Sequence, residues 1–479
     1  MMSAAPRRRV DPNALLPWAC VAAVTGWLTA LALRFPARDG DLLWQRWLGE
    51  RILREHAIPR ALGPETFAAD GAPWTPHEWL FSTALAWTGD HALRWALPVL
   101  CALAAALVLT TVVLRCARRG VSPTGASAAV LVCAFAMLQS FGVRAQVLGW
   151  ACLSVVVLLL EIEGPWAWAA VPATAVWANL HASAFLAPAT AALIALAAVM
   201  RDRAWSAAVR RSTMIAAACG AATLATPLGV DLARYAGALL TSPIRDSIDE
   251  WTATSISNAG FLAGALPLVL VLAAFGVRAS LRDRLLALAF ALLLFCAVRN
   301  VPVFALVAAP IAFAALPRAR AGAVRAHPAA RGGAWATLAA VACCGIAITA
   351  ISWRGAPAAG DALPLSPVHT LLAQAHEPPR VLCEDFAWCS LLLGQPAQFF
   401  MDGRCDPYPP DVWHDYRVIV RGNRGWDVVL DRYRVDAVLV RRDGALDSLL
   451  AERSRAWHVL AANGLTRLYV RSLLLARTR

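Results

Sequence analysis

The sequence predicts a polytopic α-helical membrane protein with a small extracytoplasmic α/β domain at its C-terminal end. Of its 479 residues, 59% are hydrophobic and only 16% are charged, and the mean hydropathy is +0.56. A soluble domain has roughly 25% charged residues. The apolar residues gather into segments of near-spanning length, since the bilayer core requires roughly 20 residues per helix. From about residue 379 these segments give way to short alternating runs, which indicate a separate domain.

About eleven apolar segments approach the length of a membrane span. They are 14–34, 93–114, 124–141, 145–160, 166–178, 182–200, 212–227, 259–277, 285–298, 301–317 and 333–352. Several are shorter than an ideal span, and 166–178 is the weakest. They define a predicted transmembrane domain over residues 1–352 with about eleven transmembrane helices, which contains a first outward loop at 35–77.

Arginine predicts the orientation of this domain. The net charge is +13, and the chain contains no lysine, so all 44 basic residues are arginine. Clusters of arginine recur on one side of the membrane under alternating topology: Arg7–Arg9, Arg115–Arg119, Arg201–Arg211, Arg278–Arg284 and Arg318–Arg331. By the positive-inside rule that side is cytoplasmic, as is the N-terminus. The first outward loop, residues 228–258 and the tail from 353 are then extracytoplasmic. The positive net charge is explained by the membrane topology, so it does not predict a nucleic-acid partner.

The tail is predicted to consist of a linker followed by a domain. Residues 353–378 are rich in Pro, Ala and Gly, and residues 379–479 alternate short β-branched runs with helical stretches. The predicted strands are Arg380–Cys383, Gln398–Met401, Val435–Val440, Trp457–Leu460 and Thr466–Val470, and the predicted helices are Asp411–Arg421, Trp426–Tyr433 and Ala445–Arg453. The three cysteines of this domain, Cys383, Cys389 and Cys405, can form one disulfide in an oxidising compartment, with one thiol left over.

The first outward loop carries acids and indoles close to the membrane. Residues 42–55 form an amphipathic helix, predicted to lie in the interface, with an apolar face of Leu43, Trp47, Ile52 and Leu53. Asp41 stands at its start and is either an N-cap or a general base, and the two roles are compatible. Asp39 and Asp41 together either hold a divalent cation or remain solvated. His77 and Glu78, at the entry to the next apolar run, are either ordinary interfacial polar residues or part of a site.

Other polar residues fall at predicted outward ends of apolar segments. Asn179 and His181 interrupt a long apolar stretch, which implies a water-lined cavity or a capped turn. Arg144 and Arg299 either bind phosphate through their planar guanidinium groups or snorkel to the interface. Further candidates lie in loops: Glu250 in the outward loop 228–258, and Asp402 and Arg404 after a strand of the tail.

A set of motifs in the first outward loop resembles a known family. It consists of Gly40-Asp41-x-x-Trp44, Gly49, Pro59, Phe67 and Gly71-x-Pro73-Trp74-x-x-His77-Glu78-Trp79. The chain resembles bacterial GT-C glycosyltransferases, multi-spanning relatives of protein O-mannosyltransferases that are often labelled as lipopolysaccharide-core galacturonosyltransferases. Three further elements resemble later signatures of the same branch: Trp177-Ala-Asn179-Leu-His181, Arg299-Asn-x-Pro302 and Asp402-Gly403-Arg404. One departure is that Gln45 and Arg46 stand where the branch has a histidine soon after Trp44.

The resemblance implies an inverting transfer, on the periplasmic face of a bacterial inner membrane, of a sugar from a polyprenyl-phosphate donor to a hydroxyl of a glycan, lipid or protein acceptor. Asp41 is then the base, with Asp39, His77 and Glu78 beside it. The substrate and phosphate contacts would come from Arg144, Asn179, His181, Glu250, Arg299, Asp402 and Arg404. A divalent cation, Mg²⁺ or Mn²⁺, would be bound by oxygen ligands from Asp39, Asp41 and Glu78.

Two functions from other classes compete with the transferase. A transporter or flippase of lipid-linked saccharide would explain the spans and an outward polar cavity, but it predicts ionisable residues near the bilayer midplane, and almost none are found there. A non-catalytic envelope-assembly scaffold would make the tail a binding module. It predicts that the first outward loop tolerates loss of its charges.

Overall fold

The computed structural model describes residues 12–33, 40–138, 140–162, 164–242, 248–317 and 366–472. They divide into two compact units. The helical unit falls within Met1–Arg34, Arg94–Gly229 and Ile248–Arg354, and the mixed unit falls within Phe35–Leu93, Val230–Ser247 and Gly355–Arg479. Asp39 and the predicted segment 333–352 lie outside the described residues.

Apolar helices make up the helical unit. Their bounds are Leu16–Ala32, most of Gly89–Arg118, Pro123–Leu138, Ala145–Ile162, Ala170–Leu180, Leu186–Asp202, Ala207–Ala222, Leu266–Phe275, Leu281–Cys296 and Val301–Ala315. Among the described residues, six stretches are long and apolar enough to cross a membrane: Asn13–Ala32, Ala96–Arg118, Ala145–Ile162, Ala182–Asp202, Phe261–Arg278 and Val298–Ala315. The chain is therefore a multi-pass membrane protein. The predicted number of eleven spans is not confirmed, because several predicted segments form helices of only 11 to 16 residues.

Val301–Ala315 is the central helix of this unit and is buried along nearly its whole length. Pro310 lies inside it, and a proline has no N–H to donate to the carbonyl four residues earlier, which belongs to Leu306. Arg115 supplies the missing donor, because its Nη1 lies 2.6 Å from the Leu306 carbonyl oxygen. Its Nε and Nη2 donate to the carboxylate of Glu161 at 3.0 and 2.9 Å. A buried ion pair thus satisfies a proline defect in the central helix.

The mixed unit contains the first loop and the tail. Its helices are Gly40–Glu55, Trp79–Trp87, Val230–Thr241, Ser366–Gln374, Phe386–Cys389, Pro410–Val420, Trp426–Arg432 and Ala445–Glu452. The helix Gly40–Glu55, named here the loop helix, matches the predicted bounds, but its buried face is different. Leu42, Trp44, Leu48 and Ile52 are buried and Leu53 is exposed. The reason is that the loop helix packs on the helix Trp79–Trp87, with Gly49 against the backbone of Ser82.

A five-stranded sheet forms the centre of the mixed unit. The strands are β1 Arg380–Cys383, β2 Gln398–Phe399, β3 Ala437–Arg441, β4 Trp457–Ala462 and β5 Thr466–Arg471, in the order β2-β1-β3-β5-β4. β1 is parallel to β2 and β3, whereas β5 is antiparallel to β3 and β4. All five predicted strands are present, with ends shifted by a few residues, so the small α/β domain exists.

Two features tie the mixed unit together. A disulfide joins Cys383 at the end of β1 to Cys389, so one disulfide forms and Cys405 takes no part in it. The first loop also reaches the sheet, because Phe399 of β2 donates its backbone N–H to the carbonyl of Glu65 at 2.8 Å. This bond places the Glu65 side chain near the loop that follows β2.

Candidate functional site

The loop helix positions Asp41 in its first turn. The Asp41 carboxylate accepts a hydrogen bond from the indole Nε1 of Trp44, three residues further along, at 3.3 Å. Trp44 is buried and packs edge-on against Trp74, with ring centroids 6.5 Å apart. Two tryptophans of the first loop therefore hold the segment that carries Asp41.

Gly403 of the tail lies against this turn. A Cβ atom built on Gly403 would be 3.7 Å from Asp41 Oδ1 and 3.3 Å from Trp44 Cδ1. It would also be 2.9 Å from the hydroxyl of Ser390, which accepts the Gly403 N–H at 3.0 Å. Two motifs that are far apart in the sequence, Gly40-Asp41-x-x-Trp44 and Asp402-Gly403-Arg404, are in contact within one compact unit.

Two carboxylates contact the Arg404 guanidinium through Nε and Nη1, whereas its buried Nη2 has no hydrogen-bond partner among the described residues. Its Nε donates to both carboxylate oxygens of Asp402, at 3.0 and 2.9 Å, and its Nη1 donates to Glu65 at 3.1 Å. The guanidinium also lies over the rings of Trp47 and Trp74, at 5.2 and 5.1 Å. Both Arg404 and Asp402 have fully buried side chains. Burial alone would lower the pKa of Arg404, but Asp402, Tyr408 and Glu65 together outweigh burial, so the pKa is raised. The motif Asp402-Gly403-Arg404 therefore fixes the loop after β2.

Tyr408 completes this arrangement. Its hydroxyl donates to Asp402 Oδ1 at 2.9 Å and accepts the Asp402 backbone N–H at 3.1 Å. Burial and the nearby Asp402 carboxylate raise the pKa of the Tyr408 hydroxyl well above its ordinary value. Tyr408 therefore stays protonated and remains a donor to Asp402.

His77 and Glu78 belong to a second cluster of the mixed unit. His77 stacks on Tyr235 with ring centroids 4.6 Å apart, and its Nδ1 lies 3.8 Å from Asp406. The Tyr235 hydroxyl donates to the same Asp406 oxygen at 3.0 Å. Burial raises the pKa of Asp406, while His77 and the Tyr235 hydroxyl oppose that rise.

Glu78 connects this cluster to the loop helix. Its carboxylate accepts a hydrogen bond from the side-chain amide of Gln45, which is buried. Gln45 follows Asp41 by four residues, and residues spaced by four lie on the same face of a helix. Asp41 and the Gln45–Glu78 pair are consequently on one side of the loop helix. Gln45, which departs from the family pattern, has a defined role in placing Glu78.

In the helical unit, the two predicted arginines contact two consecutive residues, Glu250 and Trp251. Arg144 forms an ion pair with Glu250, and the Arg299 guanidinium lies 4.2 Å from the ring centroid of Trp251, the next residue. The stacking contact orients Arg299 without using its N–H groups. None of these groups hydrogen-bonds to a described residue.

Asn179 and His181 form a capped turn beside a small cavity. Asn179 donates to the carbonyls of Ala175 and Ala225, both at 2.8 Å. His181 Nδ1 accepts the backbone N–H of Ser183 at 3.0 Å. The cavity is lined by His181, Arg299, Asn300, Gln146, Trp150 and Trp177, among others. The predicted capped turn is thus present, and it lies beside a small cavity.

The predicted residues fall into two groups. Asp41, His77, Glu78, Asp402 and Arg404 belong to the mixed unit, and Arg144, Asn179, His181, Glu250 and Arg299 belong to the helical unit. Sequence reasoning missed three contributors: Glu65, Tyr235 and Tyr408. One signal could have indicated two of them, because the chain has only five tyrosines and all lie outside the predicted apolar segments.

Of the predicted metal ligands Asp39, Asp41 and Glu78, Glu78 lies beside His77, which was predicted as a catalytic residue. Within the mixed unit, His77 Nε2 and Glu78 Oε1 are 3.6 Å apart, which suits two ligands of one ion. Asp402 and Arg404 neutralise each other and are fully buried, so they offer no ligand. His77 and Glu78 are the residues of this unit that would hold a metal.

Solved structures with the same fold belong to GT-C proteins. The oligosaccharyltransferase AglB of Archaeoglobus fulgidus, solved with an inhibitory peptide and a dolichol-phosphate, has a TM-score of 0.57 at 12% identity, covering 89% of this chain and 69% of its own. ArnT of Cupriavidus metallidurans bound to undecaprenyl phosphate has a TM-score of 0.51 at 14% identity, covering 93% and 98%. The apo form of ArnT has a TM-score of 0.54 at 12% identity. No protein-family model and no curated protein matches the sequence. The chain therefore shares its fold with these solved proteins, which agrees with the resemblance predicted from the motifs.

Proposed function

We propose that this protein is an inverting glycosyltransferase of the GT-C type. It moves a sugar from a polyprenyl-phosphate donor to an acceptor hydroxyl at the periplasmic face of a bacterial inner membrane. The observation that carries the proposal is the contact of Gly403 with Asp41 and Trp44, which joins the loop of the predicted base to the tail motif. Solved proteins with this fold hold dolichol-phosphate or undecaprenyl phosphate, which supports a lipid-linked donor.

Asp41 is the proposed general base. It is half-buried, and its carboxylate accepts a hydrogen bond from the Trp44 indole, which orients it in the first turn of the loop helix. The acceptor hydroxyl loses its proton to Asp41 while its oxygen bonds to the anomeric carbon. The bond between that carbon and the phosphate oxygen breaks, and polyprenyl phosphate leaves with the electron pair. Attack from the face opposite the phosphate inverts the anomeric configuration.

Arg299 is the proposed ligand of the donor phosphate. Its ring contact with Trp251 fixes the guanidinium plane, and its N–H groups make no hydrogen bond to a described residue. A planar fork of donors suits two phosphate oxygens at once. Arg144, tied to Glu250, is a second candidate. Arg404 is a positioning residue in this proposal, because its fully buried guanidinium is already occupied by Asp402 and Glu65.

His77, Glu78, Asn179, His181 and Glu250 are assigned to the acceptor or the sugar. A divalent cation, if the reaction uses one, would be held by His77 and Glu78 and would neutralise charge on the leaving phosphate. Asp39 keeps its proposed place beside Asp41, although it lies outside the described residues.

Release of polyprenyl phosphate tests the proposal. The full-length protein in lipid nanodiscs is incubated with a panel of polyprenyl-phosphate sugars and acceptor extracts, with Mg²⁺, Mn²⁺ or a chelator. Wild type should release polyprenyl phosphate from one donor, and Asp41→Asn should lower turnover at least 100-fold, the scale of general-base catalysis. Asp70→Asn is the matched control, because Asp70 is an exposed carboxylate of the same loop. It should keep wild-type turnover.

Two outcomes would contradict the proposal. Wild-type turnover by Asp41→Asn would remove Asp41 from the reaction. No release from any donor, under any metal condition, would reject the transferase, and translocation of lipid-linked saccharide across liposomes that contain the protein would then be measured.

A further inference from the structure

A second cavity lies in the helical unit, at the helix ends opposite to those that carry His181 and Arg299. It measures about 250 Å³. Its wall comes from the last turn of Ala145–Ile162, the 3-10 helix Gly164–Ala169, the middle and end of Leu186–Asp202, the first half of Ala207–Ala222 and the start of Leu281–Cys296. The proposed transferase makes no use of this region.

Small side chains create the space. Five alanines line it, namely Ala167, Ala191, Ala197, Ala198 and Ala208. Leu160, Ile194, Ile215 and Leu281 supply the remaining apolar wall. An alanine at a helix–helix contact leaves room that a larger residue would fill, so this cavity follows directly from the sequence of these helices.

Positive charge surrounds the cavity. Arg201, Arg211 and Arg282 line it, and no carboxylate does. Arg201 pairs with the adjacent Asp202 at 2.7 Å, and Arg282 lies 3.8 Å from Asp283. Arg211 forms no ion pair with any described residue. The cavity is therefore complementary to an anion, and guanidinium groups favour phosphate.

The surroundings distinguish a lipid from a small soluble anion. The outer surfaces of the helices Leu186–Asp202 and Ala207–Ala222, and the turn between them, expose large apolar side chains: Leu196, Val199, Met200, Trp205 and Met214. A tryptophan next to arginines at the end of a membrane helix is typical of the lipid headgroup level. Acyl chains can lie along these apolar residues while the headgroup enters the cavity.

We propose that this cavity binds the phosphate headgroup of an anionic phospholipid, with Arg211 and Arg282 as the principal contacts. The volume suits a headgroup rather than a whole lipid, since pockets for drug-sized ligands measure about 300–1,000 Å³. This site is separate from the proposed catalytic site, so the proposal of lipid binding does not depend on the proposed transferase activity.

Native mass spectrometry of the full chain in detergent tests this site. Phosphatidylglycerol and phosphatidylcholine with the same acyl chains are titrated, and inorganic phosphate is added as a competitor. Wild type should bind phosphatidylglycerol at least fivefold more tightly than phosphatidylcholine. Arg211→Gln and Arg282→Gln should each weaken phosphatidylglycerol binding about fivefold, the effect of one arginine at an anionic lipid surface. Arg210→Gln is the matched control, because Arg210 is exposed and does not line the cavity.

A second pair of variants tests the cavity itself. Ala198→Leu should fill it and weaken binding, whereas Ala221→Leu, at an exposed position of the helix Ala207–Ala222, should leave binding unchanged. The proposal is overturned if Arg211→Gln and Arg210→Gln bind alike, or if both lipids bind equally. Displacement of the lipid by millimolar phosphate would show a site for free anions and would overturn the lipid assignment.

Discussion

Arg404 and Asp402 form a closed pair in the mixed unit: the arginine Nε lies 3.0 and 2.9 Å from the two carboxylate oxygens, and both side chains are fully buried. Glu65, from the first loop, adds a third contact at 3.1 Å. This pair, together with the aromatic rings around it, fixes the loop that brings Gly403 to Asp41.

Removing one partner of this pair should destabilise the mixed unit. Asp402→Asn leaves a buried guanidinium with Glu65 as its remaining carboxylate, which costs about 3–5 kcal/mol for a pair broken in this way. A domain of this size loses roughly 2–4 °C of melting temperature per kcal/mol. Thermal unfolding followed by tryptophan fluorescence should show a decrease of about 10 °C. Asp411→Asn, at an exposed position, is the control, and an equal melting temperature for both variants would refute a structural role for the pair.

Gly403→Ala should lower turnover without unfolding the protein. The new Cβ would lie 2.9 Å from the Ser390 hydroxyl and 3.3 Å from Trp44, so the Asp41 turn or the tail loop must move by a few tenths of an ångström. Displacements of this kind cost one or two orders of magnitude in rate when they reach a catalytic group. Steady-state release of polyprenyl phosphate measures the effect. The control is Gly464→Ala, whose new Cβ would meet nothing within 4 Å and which should turn over as wild type does. Similar rates for the two variants would show that Gly403 does not position the site.

The stability of the mixed unit should depend on Asp406 below neutral pH. Burial raises the pKa of Asp406 above 3.8, so the folded state retains a proton that the unfolded chain has released. The resulting stabilisation is fully present below 3.8 and is lost as the pH rises through the folded-state pKa. Asp406→Asn should remove this dependence. This pH dependence is measured from the melting temperatures of wild type and variant between pH 4 and 7. Parallel curves for the two proteins would contradict the role of Asp406.

Arg115 and Pro310 should be coupled in stability. Arg115→Gln leaves the Leu306 carbonyl without this donor and leaves Glu161 with Arg119 as its remaining bidentate partner, and it should cost about 1–3 kcal/mol. Pro310→Ala restores an N–H four residues after Leu306, so the double variant should regain about 1 kcal/mol. A double-mutant cycle of melting temperatures measures this coupling. Strict additivity of the two substitutions would show that Arg115 does not compensate for Pro310.

Local patterns predicted most elements because each depends on residues close together in the chain. The loop helix was predicted over 42–55 and runs over Gly40–Glu55, and the strand Arg380–Cys383 was predicted with its observed bounds. The predicted number of eleven spans is not confirmed, since apolar composition does not fix helix length. Six spans are clear among the described residues. The predicted apolar face of the loop helix was partly right: Ile52 is buried, but Leu53 is exposed, because the packing of Trp79–Trp87 selects which face is buried.

The sequence by itself determined that the chain is a membrane protein, where its small sheet domain lies, and which motifs carry its polar chemistry. Only the tertiary structure decided the partners of those motifs. Arg404 donates hydrogen bonds to Asp402 and Glu65, and Gln45, which departs from the family pattern, donates one to Glu78. The physical reason is the distance along the chain over which each kind of interaction acts. Periodicity and composition act over one turn or one strand, whereas hydrogen bonds and ion pairs between residues hundreds of positions apart exist only after the chain has folded.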